Sequence, residues 1–590
     1  MTNTRKVFGF TGLVLAMFMG ALDATIVNIA LPDIMKDLKT GLTDTSWVAT
    51  IYVLAMAVFI ITVSKLADIY GRKLLMLIGV LLFGGFSFAC MTAHTIPLLI
   101  SYRFFQGVGG AILTPIVLPM GIELFGKKNT SKVTAIIGAF SALAAAGGPV
   151  IGGLIIHLSN YRWIFGINIP IALIALILIA FGTCESFDKS VSKHIDWFGM
   201  LFLTSCLAGV TFGLLEGHDY GWSSPTIITS FVLSAISLIV LLVIERFVKS
   251  PIIDLQLFKE KTFSASSLIY LIFGFAIIIP SLILNYFLQN VRSYSALHSA
   301  YLIVPASLAI AVGMPLATKL YQKISSKLLI GIGIVITAGG LAMLSCIQYE
   351  TSRDFIIACN VIIGFGLGFM AMALTASVKY LPVNKTGIGS GIVNAARYIG
   401  QALGMAILVS LLSANVNTAK NSIRSDAYRQ INKSHVSSQV KSVAKREIKK
   451  AFKTSDSSSK ISTQKNSMIK PIKQEAKKDS NLPIPKKGSD HRKLYDAMTK
   501  LEKGTNTLNE VLPSQLMPVK TSLRQLGQGQ TKVTTAIKLL AQKDELSSVF
   551  NHIVKTKNHE LSRAFSHVYL TGMILLLLCL PLTIYTERKV

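Results

Sequence analysis

Long apolar runs separated by short polar turns dominate this sequence. About fourteen of these runs are long enough, at roughly 20 residues each, to cross a bilayer as a helix. They cover residues 8–31, 45–63, 74–93, 96–120, 132–157, 163–183, 198–216, 224–245, 263–289, 296–318, 327–348, 355–378, 389–412 and 566–586. The pattern therefore predicts an all-α, multi-pass membrane protein.

Basic residues are distributed unevenly among the loops between these runs. One set of loops carries most of them: Lys65, Arg72, Lys73, Lys127, Lys128, Lys132, Lys189, Lys193, Arg246, Lys249, Lys259, Lys261, Lys319, Lys323, Lys327, Lys379, Lys385, Arg588 and Lys589. Cytoplasmic loops are enriched in lysine and arginine. We therefore expect both termini in the cytoplasm. Because no organelle signal is evident, we expect a plasma membrane of bacterial type.

A polar segment at about 413–565 interrupts the pattern before the last run, and helix parity predicts that it is extracellular. It holds roughly 30 basic residues against about 12 acidic ones, and long loops translocate largely regardless of charge. Its middle, about 453–490, is rich in Ser and Lys and has a disordered composition. The flanking parts have helical spacing, which predicts a helical hairpin or short coiled coil. The residues that carry this spacing are Ile423, Ala427, Ile431, Val436, Val440, Val443, Leu494, Met498, Leu501, Leu508, Leu512, Val533, Ile537 and Leu540. A solvated basic stalk without a partner is an equal alternative.

The composition narrows the class of protein. Of 590 residues, 52% are hydrophobic and 15% are charged, whereas soluble domains carry about 25% charged residues. The net charge of +29 fits loops that face anionic lipid, so we do not expect a nucleic-acid partner. The six cysteines lie in or beside apolar runs and predict no disulfide framework. No P-loop, zinc-binding, nucleophile or dinucleotide-binding motif occurs in a usable context. We therefore do not expect an enzyme or an ATP-driven pump, and we expect no cofactor or metal site.

The polar turn between the second and third runs carries the first motif. Asp68, Gly71, Arg72 and Lys73 follow the sequence Ser-Lys-Leu-Ala in a short loop. This stretch resembles the loop signature of the major facilitator superfamily, Gly-x-Leu-Ala-Asp-x-x-Gly-Arg-Lys, with serine replacing the first glycine. The resemblance implies that these four residues, together with Glu123 on the same side, form a conformational latch. The alternative for Glu123 is a plain surface acid.

Asp23 falls near the middle of the first run. An acid at that depth is costly in lipid, so it should face a cavity and be able to take and release a proton. A buried, paired structural acid is the alternative. With Thr25 and Asn28, the pattern Leu-Asp-x-Thr-Ile-Val-Asn-x-Ala-Leu-Pro resembles the first helix of the drug:proton antiporter family with fourteen spanning helices. Thr25 and Asn28 are candidates to line the substrate cavity.

Arg103, Gly107 and Gly110 share one face of the fourth run, because steps of three and four residues return to the same side of a helix. A buried guanidinium needs an acid or a carbonyl as partner. With Gln106, a further cavity candidate, the motif resembles the superfamily signature Arg-x-x-Gln-Gly, which is thought to serve proton coupling. A structural arginine that holds helices together is the alternative.

The fifth run ends in a glycine-rich segment, Gly147, Gly148, Pro149, Gly152 and Gly153. Glycines four residues apart make a ridge for close packing, and proline bends a helix. The segment resembles the antiporter signature of drug exporters, which is not expected in uptake symporters. This ridge is the main sequence argument for efflux, and generic helix packing is the alternative.

Four further polar residues lie in or at the ends of apolar runs. Asn394 and Arg397 share one face at mid-depth of the thirteenth run, where they either line the cavity or pack between helices. Gln289 lies in a segment that resembles a family landmark and is also a cavity candidate. Glu216 is a further candidate for proton coupling.

The resemblance covers about three quarters of the chain and implies a major facilitator fold with two six-helix bundles and two extra central helices. The expected divisions are 1–185, 186–250, 251–412, 413–565 and 566–590. The expected function is proton-coupled export of small lipophilic, often cationic drugs by alternating access. The main alternative is export of an amphipathic lipid or cell-envelope precursor, and a non-transporting sensor or scaffold and an uptake symporter are lesser ones. Expected partners are protons, these substrates and membrane lipids, with anionic envelope polymers or lipid headgroups at the insertion.

Overall fold

The computed structural model describes residues 2–126, 129–187, 196–248, 251, 255–321, 323–381, 386–453, 482–513 and 516–587. Most of the Ser- and Lys-rich middle of the insertion, and the predicted loop bases Lys127, Lys128, Lys189, Lys193, Lys249, Lys385, Arg588 and Lys589, lie outside these ranges. The described ranges contain helices and turns and no strand. The helices are α1 (Asn3–Asp37), α2 (Leu42–Tyr70), α3 (Arg72–Thr92), α4 (Ile96–Phe125), α5 (Thr130–Leu158), α6 (Trp163–Gly182), α7 (Trp197–Tyr220), α8 (Pro225–Phe247), α9 (Lys261–Val291), α10 (Ala296–Leu320), α11 (Ser326–Ser345), α12 (Arg353–Val378), α13 (Thr386–Lys433), α14 (Ser438–Lys453), α15 (Asp490–Val511) and α16 (Met517–Leu578).

Thirteen helices of the described chain are long and apolar enough to cross a membrane: α1–α4, α6–α13 and α16. The remaining member of the predicted set, α5, contains a shorter apolar helix, Leu143–Leu158. The predicted all-α membrane fold is confirmed.

The chain forms two compact units. The first comprises Met1–Asn415 and Ser562–Val590, and the second comprises Val416–Leu561. The second unit overlaps the polar insertion that the sequence predicts at about 413–565.

Within the first unit, the helices group into two bundles and a pair. In the first bundle, α1 packs against α5 and α6, while α4 packs against α2 and α3. In the second bundle, α12 packs against α10 and α11, and a 3₁₀ turn at Leu580–Thr586 packs against α9 and α11. The pair α7 and α8 pack on each other, and α7 also contacts α2. The two bundles meet where α5 lies along α10 and α1 lies along α9.

Serine side chains cap the N-termini of several of these helices. A hydroxyl that accepts from a backbone N–H of the first turn satisfies a donor with no partner inside the helix. Ser224 accepts from Ile227 N at the start of α8, and Ser352 accepts from Phe355 N at the start of α12. Serine caps explain why these apolar helices begin at defined residues.

Helix α9 departs from regular geometry in its second half. It is α-helical over Lys261–Ile278 and contains two π-helical stretches, Ile279–Ile283 and Phe287–Val291. Such stretches are rare and occur often at functional sites. They flank Asn285, a buried polar residue where the two bundles meet.

The second unit has its own apolar core. Its part of α13 buries Ile423, Ala427 and Ile431, and α14 buries Val440, Ala444 and Ile448. Helix α16 adds Leu546, Phe550 and Ile553. The Thr556 hydroxyl donates to Asp426 Oδ2 over 3.2 Å, which ties α16 to α13 inside this unit. Helix α15 contributes no buried residue.

Candidate functional site

A buried ion pair lies inside the first bundle. Arg103 Nη1 on α4 is 2.5 Å from Asp23 Oδ2 on α1, and the two side chains are 1% and 0% exposed. Burial of two charges away from water is favourable only with close pairing and further hydrogen bonds. The structure thus brings together the acid and the base that the sequence analysis singled out on different helices.

Groups from three more helices complete the hydrogen bonding around the pair: side chains of α3 and α6 and a backbone carbonyl of α2. Asp23 Oδ1 accepts from Gln106 Nε2 and from Asn168 Nδ2, both over 3.0 Å. Arg103 donates from Nη1 to Gln106 Oε1 over 2.6 Å and from Nε to the Val48 carbonyl over 3.1 Å. Gln106 Nε2 also lies 2.8 Å from the Ser87 hydroxyl oxygen. We call Asp23, Ser87, Arg103, Gln106 and Asn168 the charge cluster.

An aromatic ring covers the guanidinium. Arg103 Cζ lies 4.1 Å from the centroid of the Tyr52 ring, at a distance where a cation is attracted by the ring face. Gly107, one helical turn along α4, lets α2 approach, because a Cβ there would lie 2.6 Å from the Tyr52 carbonyl oxygen. The close approach of α2 therefore explains why the Arg-x-x-Gln-Gly motif has glycine at this position.

The charge balance of the cluster depends on Asp23. With Asp23 ionised, the pair is neutral overall and its hydrogen bonds are made. A proton on Asp23 would remove the negative charge and leave the buried Arg103 guanidinium without its counter-ion. An unpaired buried charge is strongly unfavourable, so protonation would favour any conformation that hydrates or re-pairs the arginine.

Polar contacts join the two bundles toward the side where α1 ends, which we call the far side (the side of Asp37). Asn285 Nδ2 donates to the Asn28 carbonyl over 2.6 Å, and Gln289 Nε2 donates to the Ile29 carbonyl over 2.9 Å. Gln289 Nε2 also donates to Asn285 Oδ1. The described contacts of Asn28 and Gln289 thus hold the bundles together on this side.

The glycine ridge of α5 faces two partners instead of one. A Cβ on Gly148 would overlap Thr25, and one on Gly152 would lie 2.7 Å from Ile26, so these glycines admit α1. A Cβ on Gly153 would lie 2.7 Å from Leu297 Cα, so this glycine admits α10 of the other bundle. Pro149 is buried, and the Cβ position of Gly147 lies 3.4 Å from Ile151 Cδ1 of the same helix, its only contact among the described residues. The ridge therefore sets the distance between the bundles near the far side.

The residues of the predicted latch lie together at the opposite side, where α1 begins. Arg72 Nη2 lies 2.8 Å from Asp68 Oδ1, and Arg72 Nη1 contacts Glu123 Oε1. Gly71 has a φ of 119°, a conformation that a side chain would strain. Lys73 Nζ donates to the carbonyls of Ala180 and Thr183 at the end of α6 over 2.6 and 3.1 Å. Ion pairs thus connect the α2–α3 turn to α4, and Lys73 connects it to α6.

Glu185 is a member of this region that sequence analysis missed. Its carboxylate accepts from the backbone N–H groups of Lys73 and Leu74 over 2.8 and 3.0 Å. An acid at a helix start satisfies unpaired donors and is attracted by the positive end of the helix dipole. No spacing rule could have found it, since 112 residues separate Glu185 from Lys73.

The remaining candidates lie apart from the charge cluster. Glu216 Oε1 accepts from Trp47 Nε1 over 2.8 Å at the far side. Thr25 and Asn394 donate to carbonyls of their own helices, those of Leu22 and Ser390. Arg397 Cζ lies 4.6 Å from the centroid of the Tyr398 ring, and its buried Nε has no hydrogen-bond partner among the described residues.

One more polar cluster ties the far end of α1 to the loop before α6. The Tyr161 hydroxyl donates to Asp37 Oδ2 over 3.2 Å, and Arg162 Nη2 lies 3.5 Å from the same oxygen. Burial raises the pKa of Tyr161 to about 12, with Arg162 opposing the increase and Asp37 adding to it. The phenol is therefore a donor at neutral pH.

In the described part of the chain, no group of three or more His, Cys, Asp or Glu residues is placed to hold a metal ion.

Comparison with known families gives one match over most of the first unit. The family model of the Major Facilitator Superfamily matches residues 13–405.

Two curated relatives illustrate the sequence similarity. "Multidrug transporter protein MdtP" of Bacillus subtilis (strain 168) is 30% identical over 428 residues, which cover 72% of this chain and 78% of the relative. "Multidrug resistance protein Stp" of Mycobacterium tuberculosis (strain CDC 1551 / Oshkosh) is 32% identical over 407 residues, which cover 68% of this chain and 74% of the relative.

Solved structures of two complexes of a POT family transporter share the fold. One holds a thioalcohol-conjugated peptide and the other 5-aminolevulinic acid. Each aligns with a TM-score of 0.54 at 15% identity and covers 70% of this chain and 91% of the solved chain.

Proposed function

Because this chain belongs to the Major Facilitator Superfamily, we propose that it exports small lipophilic, often cationic drugs in exchange for protons. Its relatives include proteins named for multidrug transport and multidrug resistance. The glycine ridge of α5, which resembles the signature of exporters, supports efflux over uptake. The substrate would bind between the two bundles, as in transporters that alternate access around a central site.

The observation that carries the proton-coupling part of this proposal is the buried pair of Asp23 and Arg103. Its two charged groups lie within one bundle, where a proton on Asp23 would change the charge balance. Taking up a proton at Asp23 would weaken the charge cluster and shift the population between two conformations. A ligand shifts such an equilibrium only by its different affinity for the two states, so proton and substrate must favour opposite ones.

The contacts on the two sides suggest how access alternates. Asn285 and Gln289 bond to α1 at the far side, and Gly153 lets α5 and α10 pack closely there. These contacts must break for the far side to open. The latch at Arg72, Asp68 and Glu123 lies on the other side, where it can favour one conformation of the first bundle.

The distribution of charge supports an orientation. The loop bases Lys65, Arg72 and Lys73 lie on the side where α1 begins, which we assign to the cytoplasm of a bacterial plasma membrane. Residues 413–565 are then extracellular, and drug leaves toward that side.

The proposal is tested with the purified full-length protein in proteoliposomes that carry an imposed pH gradient. A pH-sensitive dye reports proton movement when lipophilic cations such as ethidium are added, with protein-free liposomes as control. We expect substrate to dissipate the gradient only when the protein is present. A folded protein that moves no protons with a broad panel of lipophilic drugs would overturn the proposal.

The positive charge of the insertion supports a second candidate, export of an amphipathic lipid or cell-envelope precursor. Its roughly 30 basic residues against about 12 acids could contact anionic polymers or lipid headgroups. Deletion of residues 416–561 separates the two candidates. Drug efflux that survives the deletion would argue against a role of the insertion in handing over substrate.

A further inference from the structure

Helices α15 and α16 pair side by side in antiparallel directions within the second unit. His491 Nε2 lies 2.9 Å from Asp544 Oδ2, and Gln530 Nε2 donates to Thr505 Oγ1 over 3.1 Å. Thr531 Oγ1 donates to Glu502 Oε1 over 2.7 Å between these two contacts. The contacts fix which residues of the two helices lie at the same height. They also show that polar side chains fill much of the seam between the helices.

Seven large apolar residues of the pair are exposed outside this seam. Every seventh residue forms a row on each helix, and about half of each side chain is accessible. The exposed fractions are 55% for Leu494, 59% for Leu501 and 58% for Leu508 on α15, and 44% for Val519, 54% for Leu526, 46% for Val533 and 50% for Leu540 on α16. A repeat of seven keeps a row on one side of a helix that supercoils with another.

The two rows lie on the same side of the pair. Leu501 directly precedes Glu502, which bonds across the seam, and Leu526 directly precedes Gly527, whose Cβ position lies 3.6 Å from Asn506 Oδ1 of α15. In antiparallel helices these equivalent positions flank the seam together. The contact at Glu502 and Thr531 sets Leu501 level with Val533. Seven residues to either side along each helix, Leu494 is level with Leu540 and Leu508 is level with Leu526.

Uncharged residues, small except for Val511, alternate with the rows at steps of three and four, and this completes a second heptad pattern on each helix. They are Ala497, Gly504 and Val511 on α15 and Ser522, Gly529 and Ala536 on α16, all exposed. We call these six residues and the seven of the two rows the apolar face. None of the thirteen residues is charged, although the insertion as a whole is rich in charge.

Two glycines of the apolar face are not required by any contact among the described residues. Apart from the backbone of their own helices, no described atom lies within 4 Å of the Cβ position at Gly504 or at Gly529, so there is room for a side chain at both. Glycine is among the weakest helix formers, and both residues lie inside long helices. A helix of another molecule that packs closely on the apolar face would require them, because glycine allows two backbones to approach.

We propose that the apolar face is a self-association interface, on which a second copy of this chain packs its own apolar face. A two-fold axis parallel to the hairpin brings equal layers of both copies together, with four large apolar residues per layer. The eight exposed Leu and Val residues of one copy present roughly 800 Å² of surface, which is the area that a stable interface buries per partner. Identical heptad spacing on both helices makes the face complementary to itself.

Charges at the edge of the face provide a signature for this occupant. Lys500 on α15 and Lys532 on α16 are exposed, flank the rows and lie at nearly the same height. In the two-fold pair, Lys500 of one copy faces Lys532 of the other. Salt screens this repulsion, so self-association should strengthen as salt rises. An acidic partner helix bound to the same face would show the opposite salt dependence.

The test measures the mass of the full-length protein in detergent and in nanodiscs over a range of concentrations, by light scattering after size-exclusion chromatography. We expect a concentration-dependent dimer that is favoured by salt. The double variant Leu501→Lys/Val533→Lys places charges in the central layer and should be monomeric. The matched control Asn506→Lys/Gln528→Lys adds the same charges at exposed positions off the face and should remain dimeric, with equal helical content.

A second variant keeps the proposal falsifiable if lysines disturb the hairpin. Gly504→Leu/Gly529→Leu fills open space in one chain, so the monomer should keep its helicity while the dimer is lost. A native protein that is monomeric at tens of micromolar and at high salt would overturn the proposal. So would association that is unchanged by both face variants, or that weakens as salt rises.

Discussion

Replacing Asp23 with asparagine removes the negative charge from the charge cluster while keeping its shape. The carboxylate accepts from Arg103 Nη1 over 2.5 Å and from Gln106 and Asn168 over 3.0 Å each. An asparagine amide has one acceptor oxygen in place of two, so at least one of these donors loses its partner. The Arg103 guanidinium stays buried without a counter-ion.

The magnitude follows from this geometry. Breaking a buried ion pair by removing one partner costs about 3–5 kcal/mol. Since about 1.4 kcal/mol corresponds to a factor of ten, the conformation described here should lose about two to four orders of magnitude in population relative to one in which Arg103 is hydrated. Proton exchange with substrate should fall to the background of protein-free liposomes, because the titratable group is gone.

The assay compares Asp23→Asn with the double variant Asp23→Asn/Arg103→Gln in the proteoliposome measurement described above. Removing both charges leaves no unpaired ion, and neutral replacement of a buried pair is often tolerated. We therefore expect the double variant to regain thermal stability without regaining proton-coupled transport. Asp33→Asn, a change on the same helix outside the charge cluster, is the matched control and should transport normally.

Two results would refute this reasoning. If folded Asp23→Asn still moves protons when substrate is added, the proton site lies elsewhere. If the double variant recovers both stability and coupled transport, the pair has a structural role alone. Either result would leave the geometry of the charge cluster intact but remove its assignment to proton coupling.

Three further changes test other parts of the structure. At Gly153 a Cβ alone would lie 2.7 Å from Leu297 Cα, so the larger side chain of Gly153→Leu should push α5 away from α10 and open the far side. An engineered cysteine on the far side should then react faster with a membrane-impermeant thiol reagent. Glu185→Ala removes the acceptor at the start of α3 and should lower the stability of the first bundle by about 1 kcal/mol, seen as a lower unfolding temperature. Glu123→Gln weakens a partly exposed ion pair with Arg72 and should change the transport rate no more than about fivefold, since such pairs contribute roughly 0–1 kcal/mol.

The charge cluster was only partly predictable from sequence. Asp23 and Arg103 stand out because charged residues are rare in apolar spans, and each needs a partner. Ser87 and Asn168 have no such signal, since small polar side chains are common in spans and bond as readily to their own helix. Asn168 reaches Asp23 because α6 packs against α1, and Ser87 reaches Gln106 because α3 packs against α4.

The glycines of α5 illustrate a different limit. Spacing predicts a ridge at Gly148 and Gly152, and the structure packs both against α1. The neighbouring Gly153 lies about 100° further around the helix and faces α10, in the other bundle. The sequence pattern reports that close contacts are needed but contains no information on which helix makes them.

The hairpin of the second unit contains two overlapping heptad patterns, which periodicity does not separate. Steps of three and four connect Leu494, Met498 and Leu501, so the spacing predicts one apolar stripe. In the structure, Met498 is partly buried, whereas Leu494 and Leu501 belong to the exposed rows. A helix with two apolar stripes cannot be assigned a partner for each stripe by periodicity alone.

The contact between Glu185 and the start of α3 also sets an order of events during synthesis. The backbone donors of Lys73 and Leu74 are made long before their acceptor, because 112 residues separate Lys73 from Glu185. At about 5–20 residues per second, roughly ten seconds pass between them. Through that interval the first turn of α3 depends on water or lipid headgroups for its hydrogen bonds. The hydrogen bonds at the start of α3 are therefore completed only when the residues after α6 have been made. The first bundle reaches its final packing only after its sixth helix has been synthesised.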